Sequence, residues 1–105
     1  MEAIGIDVGS YKAVMGVVKR GGIDIVLNDA SNRQTPVAIA YRDQERIIGD
    51  SAKMQVRKNF MNTVLYISRF AGLNAACVDQ VELEKRFMTN KMVSMDNQKI
   101  GFEVN

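Results

Sequence analysis

Residues 3–8, 13–18 and 23–27 are three short apolar runs separated by tight, glycine-bearing turns, and few folds accept such a beginning. Runs of this length bounded by glycine read as strands, and successive tight connections make an antiparallel β-meander. The runs are nearly continuous rather than alternating, which predicts strands covered on both faces. The first run ends in Asp7-Val8-Gly9-Ser10. Glycine there lets backbone N–H groups approach an anion, and successive N–H groups form a positive concavity suited to phosphate. The carboxylate of Asp7 is placed to hold a water on a phosphate-bound Mg²⁺, an ion that keeps several of its waters. By itself the tetrapeptide is equally compatible with a plain hairpin turn.

At 105 residues the chain is one small domain or a piece of a larger one. A composition of 47% hydrophobic and 25% charged residues predicts a folded, water-soluble state. The net charge of +2 gives no case for nucleic acid or a membrane as partner, and Lys19-Arg20 and Arg57-Lys58 read as solvated faces. Cys77 is the single cysteine, so no internal disulfide forms and a reducing, cytoplasmic location is expected. Histidine is absent, which removes the usual general base and zinc ligand. The first strand pattern starts at once, leaving no room for a signal peptide, and no apolar run approaches the about 18 residues of a membrane span.

Beyond the meander, residues 28–36 form a polar break, and residues 37–41 and 46–48 a hairpin across Asp43-Gln44. Three helices are then expected: residues 50–58, residues 63–71 capped by Asn62 and stopped by Gly72, and residues 74–87 capped by Asn74. Val78, Val81 and Leu83 would partly line one side of the last. A hairpin over residues 91–104, turning at Asp96-Asn97, completes the pattern. The absence of a closing element after it predicts a fragment of a longer protein. The seven methionines are scattered and read as core filling.

Ordered blocks between residues 4 and 72 carry a family resemblance: Ile4-Gly5-Ile6-Asp7-Val8-Gly9-Ser10, residues 28–36 (NDASNRQTP), residues 46–53 (RIIGDSAK), Asn62-Thr63-Val64 and Arg69-Phe70-Ala71-Gly72. With these the chain resembles the start of the ATPase domain of the 70-kDa heat-shock protein family, and within it the 110-kDa branch of nucleotide exchange factors. The resemblance implies an actin-like (ribonuclease H-like) ATPase fold of α+β or α/β class, with two lobes around a nucleotide cleft. Residues 1–34 would be the opening β-meander of subdomain IA with the first phosphate loop. Residues 35–105 would be most of subdomain IB, a mixed sheet with helices. The rest of the nucleotide-binding domain and the peptide-binding domain would lie outside this chain.

The resemblance also implies site residues. Asp7 matches the acidic residue that positions Mg²⁺ through water, and Gly9, Ser10, Tyr11 and Lys12 match the first phosphate loop around ATP or ADP. Tyr11 and Lys12 depart from the threonine and tyrosine of hydrolysing members, although backbone N–H donors survive such changes. Lys12 reads equally as a phosphate contact and as a solvent-facing strand residue. Ser68 falls where hydrolysing members keep a lysine that reaches the γ-phosphate. Losing one such preorganised group typically costs about 3–4 kcal/mol, a hundred- to a thousandfold in rate. Lys58 and Arg69 are the candidate replacement cations, although Arg69 has its own family position.

The expected function is that of an ATP-binding chaperone of the 110-kDa type, slow or inactive in hydrolysis, acting on a partner 70-kDa heat-shock chaperone. Unfolded clients would bind through the absent domains. The alternative is a working, ATP-hydrolysing peptide-binding chaperone; a sugar kinase or actin-type ATPase is more remote, because residues 28–36 have no role in a kinase phosphate loop. Strand exchange or oligomerisation of the chain alone is also expected, since its meander would lack covering partners.

Overall fold

The structure, a computed structural model, describes residues 2–105. The meander is present: β1 (Ile4–Val8), β2 (Lys12–Lys19) and β3 (Gly22–Ile25) pair antiparallel in that order. The register sets Ile4, Ile6 and Val8 beside Val17, Met15 and Ala13 on one face. Val14, Gly16 and Val18 share the other face with Ile23, Ile25 and Asp7. Apolar side chains therefore stand on both sides of the sheet, as continuous runs require. Neither side is covered: Ile4, Ile6 and Val8 are 61–65% exposed and Ile23 is 72% exposed. A two-residue strand, β4 (Thr35–Pro36), joins the start of β2 and ties the segment after the polar break to the first turn.

A second sheet, in which Ala38–Arg42 (β5) lies between Glu45–Ile48 (β6) and Thr63–Leu65 (β7), holds most of the small core. Strands β5 and β6 form the expected hairpin. Its turn residues Asp43 and Gln44 both have left-handed φ values, 51° and 68°, which matches the twist of the flanking strands. Helix α1 (Asp50–Met54) lies on this sheet, and Ala38, Ala40 and Ala52 are buried between them. Alanine at these positions lets helix and sheet approach closely, so little apolar volume is enclosed. Beyond α1, a second helix, α2 (Val78–Lys85), and the hairpin of β8 (Met92–Ser94) and β9 (Ile100–Phe102) follow. An edge-to-face contact between Phe70 and Phe102, 5.4 Å between centroids, joins that hairpin to the second sheet's end.

Three helix expectations change. Residues 63–71 are not a helix: Thr63–Leu65 form strand β7, paired with β5, and Ile67–Phe70 form a 3-10 turn. Pairing with β5 outweighs the weak helical preference of a segment that opens on β-branched Thr63 and Val64. Asn62 accordingly does not cap a helix; its amide donates to Asn59 Oδ1 at 3.1 Å. The first helix stops at Met54 and continues only as turns, and the third begins at Val78 rather than near Asn74. Asn74 still organises the approach, accepting the Ala76 N–H at 2.9 Å. Val78 and Leu83 are more than half exposed, so α2 has no apolar side of the expected kind.

The molecule is open. Its accessible surface is 8110 Å², about 2,200 Å² above the ~5,900 Å² of a compact monomer of this mass. The radius of gyration, 16.2 Å, likewise exceeds the about 13 Å of a compact chain of this length.

Candidate functional site

The turn from β1 to β2 brings Asp7, Gly9, Ser10, Tyr11 and Lys12 together. Asp7 is the last-but-one residue of β1, opposite Val14. The Gly9 N–H donates to the Lys12 carbonyl at 3.0 Å, and a Cβ on Gly9 would lie 3.1 Å from that same oxygen. The Tyr11 carbonyl accepts the Val37 N–H at 2.8 Å, just after β4. The N–H groups of Ser10 and Tyr11, at the apex, have no hydrogen-bond acceptor among the described residues. Two successive unpaired backbone donors on a half-buried glycine turn make an anion-accepting surface.

Ser68, distant in sequence, closes on this turn: its hydroxyl donates to the Gly9 carbonyl at 2.9 Å. Tyr66, in the left-handed conformation (φ 56°, ψ 23°), stacks on Tyr11 with centroids 6.2 Å apart and planes inclined by 30°. From α1, the Lys53 ammonium donates to the Tyr11 hydroxyl and stands 4.6 Å from the ring centroid. Sequence reasoning missed Lys53 and Tyr66. Lys53 belongs to the 46–53 block, but no local pattern says that its side chain returns to the first turn.

Both candidate replacement cations are elsewhere. Arg69 grips Glu84 of α2 with two hydrogen bonds, one from Nη2 to Oε1 at 2.8 Å and one from Nε to Oε2. Their mutual hydrogen bonding raises the Arg69 pKa and holds the Glu84 carboxyl below its usual range, with burial opposing both shifts. Lys58 lies exposed in the turns after α1. The cations that do surround Tyr11 are Lys12, Arg33 and Lys53, which line a polar cleft of about 420 Å³ with Asn32, Gln34 and Asp50. None of the three has a carboxylate within ion-pairing distance among the described residues. A separate apolar hollow of about 530 Å³, lined by Ile39, Phe70, Leu73 and Phe102, is the gap between the second sheet and the last hairpin.

The 28–36 block builds the wall that carries these groups. Asn28 Oδ1 accepts the N–H groups of Ala30 (2.9 Å) and Asn32 (3.0 Å), closing the polar turn on itself. Its Nδ2 donates to Asp50 Oδ2 at 2.6 Å and to Thr35 Oγ1 at 3.0 Å. Asn32 Nδ2 takes the other oxygen of Asp50 at 3.2 Å. One asparagine thus joins the turn, β4 and the first residue of α1, and so fixes where Lys53 stands relative to β2.

A family model described as Hsp70 protein matches residues 3–105. The chain belongs to the Hsp70 family. Membership implies an actin-like ATPase fold, with which the mixed α and β content and antiparallel sheets agree. The chain is 36% identical over 100 residues to a heat shock protein homolog of Saccharomyces cerevisiae and 39% identical over 100 residues to a heat shock protein homolog of Candida glabrata. It is 33% identical over 101 residues to heat shock protein 88 of Dictyostelium discoideum. These alignments cover 95–96% of the chain but only 13–14% of the relatives. The resemblance to the large, 110-kDa branch of the Hsp70 family therefore holds. No helix among the described residues is long and apolar enough to cross a membrane.

Proposed function

We propose that this chain contributes the first phosphate-binding turn to the ATP site of a cytoplasmic chaperone of the 110-kDa heat-shock type. In this reading residues 1–34 are the opening meander of subdomain IA and residues 35–105 most of subdomain IB. ATP or ADP sits with its phosphates on the free N–H groups of Ser10 and Tyr11. Among the described residues no three acidic, histidine or cysteine side chains converge to hold a metal. Mg²⁺ fits nonetheless, because it needs only one carboxylate, Asp7, together with its own waters and a phosphate. When bound it would neutralise phosphate charge; Asp7 orients its waters, and the turn holds the ligand in place.

The observation that carries the reading is Ser68. At the position where hydrolysing relatives are expected to present a lysine, a neutral hydroxyl is bound to the Gly9 carbonyl, and neighbouring Arg69 is held by Glu84. The site has backbone donors for ground-state phosphate, and Ser68 brings no charge to meet the transition state. ATP then acts as a structural ligand, and the protein assists a 70-kDa heat-shock chaperone by promoting nucleotide exchange while clients bind through other domains. A working ATPase is the second reading, and Lys53 favours it, since its ammonium already reaches Tyr11 at the turn.

Single-turnover hydrolysis separates them. In the complete protein carrying this segment, Ser68→Lys should raise the rate, and Asp7→Ala should weaken Mg²⁺-ATP binding. A wild-type rate equal to that of a hydrolysing relative would refute the exchange-factor reading.

A further inference from the structure

The Gly9 carbonyl that Ser68 holds and the Ser10 N–H belong to one peptide unit. In a planar trans peptide the two point in opposite directions, so fixing one aims the other. Glycine is the residue at which such a unit reorients most freely, because both signs of φ are open to it. At this turn the freedom is removed from several sides. The Gly9 N–H is bound to Lys12, its carbonyl to Ser68, and the Tyr11 carbonyl to the Val37 N–H. The Tyr11 ring lies against Tyr66, with Lys53 on its hydroxyl. Tyr66 and Ser68 are separated by one residue, and the left-handed backbone of Tyr66 is the bend between β7 and the 3-10 turn that carries Ser68. That conformation is uncommon for an aromatic residue and is kept where surrounding structure imposes it.

We infer that Ser68 is a positioning residue for the phosphate turn: its hydroxyl pins the Gly9 carbonyl and thereby presets the Ser10 N–H, with that of Tyr11 beside it, to receive nucleotide phosphate. The inference rests on the phosphate-turn reading above and assigns this position a ground-state task. A lysine there would serve the transition state; the serine serves affinity, by removing the reorientation that binding would otherwise require. Replacing Ser68 by lysine consequently has two effects of opposite value, a new cation and a lost latch, so nucleotide affinity falls even where the hydrolytic rate rises.

The test is calorimetric titration of the complete protein carrying this segment with Mg²⁺-ADP and, separately, with adenosine. Ser68→Ala should weaken Mg²⁺-ADP by roughly two- to tenfold, the equivalent of one neutral hydrogen bond. It should leave adenosine affinity unchanged. Ser68→Thr, which keeps the hydroxyl, should retain the ADP affinity. Equal losses for ADP and adenosine would overturn the latch by showing a general structural role. Unchanged ADP affinity in Ser68→Ala, with a loss in Gly9→Val, would overturn the latch and leave the phosphate turn standing. If Gly9→Val also binds ADP normally, the turn reading fails and the latch with it.

Discussion

Asn28→Ala removes the residue that joins the polar turn to α1, and its cost can be worked from the contacts. The bond from Nδ2 to Asp50 Oδ2 is 2.6 Å long and has an ionised acceptor, a type whose loss costs about 1.5–3 kcal/mol. The Asp50 carboxylate keeps Asn32 as a second donor, and both residues are only partly buried, which places the loss at the lower end. The two bonds accepted by Oδ1 from Ala30 and Asn32 lie near the surface and add about 0.5–1 kcal/mol. The sum is about 2–3 kcal/mol, or roughly 30- to 150-fold in a local opening equilibrium. Native-state hydrogen exchange reads it directly, through the Ser31 amide, which donates to the Asn28 backbone carbonyl in the turn, and the Lys53 amide in α1. Asn28→Asp should be worse than alanine, because it sets a second carboxylate against Asp50. Combining it with Asp50→Asn restores a donor–acceptor pair and should recover most of the protection. Exchange in Asn28→Ala within threefold of wild type, or no recovery in the exchanged pair, would refute this account of the block.

Two further outcomes follow from the same structure. Because the Arg69 contact holds the Glu84 carboxyl below its usual range, its stabilising contribution is complete above the unfolded value of about 4.3 and is lost as pH falls through the lower folded value. Carboxyl NMR should show Glu84 titrating below a free glutamate, and Glu84→Gln should abolish the acid-induced loosening of α2; a normal midpoint would contradict the ion pair. The 105-residue chain alone, with both faces of its first sheet open, should self-associate in sedimentation or light scattering, and Ile6→Lys should shift it toward monomer; a clean monomer at high concentration would refute this.

The local chemistry of the sequence determined the hairpins. Gly21 at φ 86°, Asp43 and Gln44 at 51° and 68°, and Asn97 at 59° all lie at positions where turn residues predicted a reversal. Short turns tie neighbouring strands through the backbone between them, so composition there is nearly sufficient. The family was legible for a related reason: its blocks are contiguous segments. Asp7 and the four residues from Gly9 to Lys12 fall on one turn because they are adjacent in the chain.

What the sequence misjudged or left unsaid depends on contacts between distant residues. Thr63–Leu65 became a strand because β5 stood open beside it, and no preference within residues 63–71 records that neighbour. Asn28 reads as an ordinary turn residue until Asp50 is folded back against it. Ser68 reads as the absence of a lysine, whereas the folded chain sets its hydroxyl on Gly9, 59 residues away. A side chain's type limits the bonds it is able to make, but its partner is chosen by the packing of sheets and turns that bring two remote backbones together, and only the tertiary structure decides that.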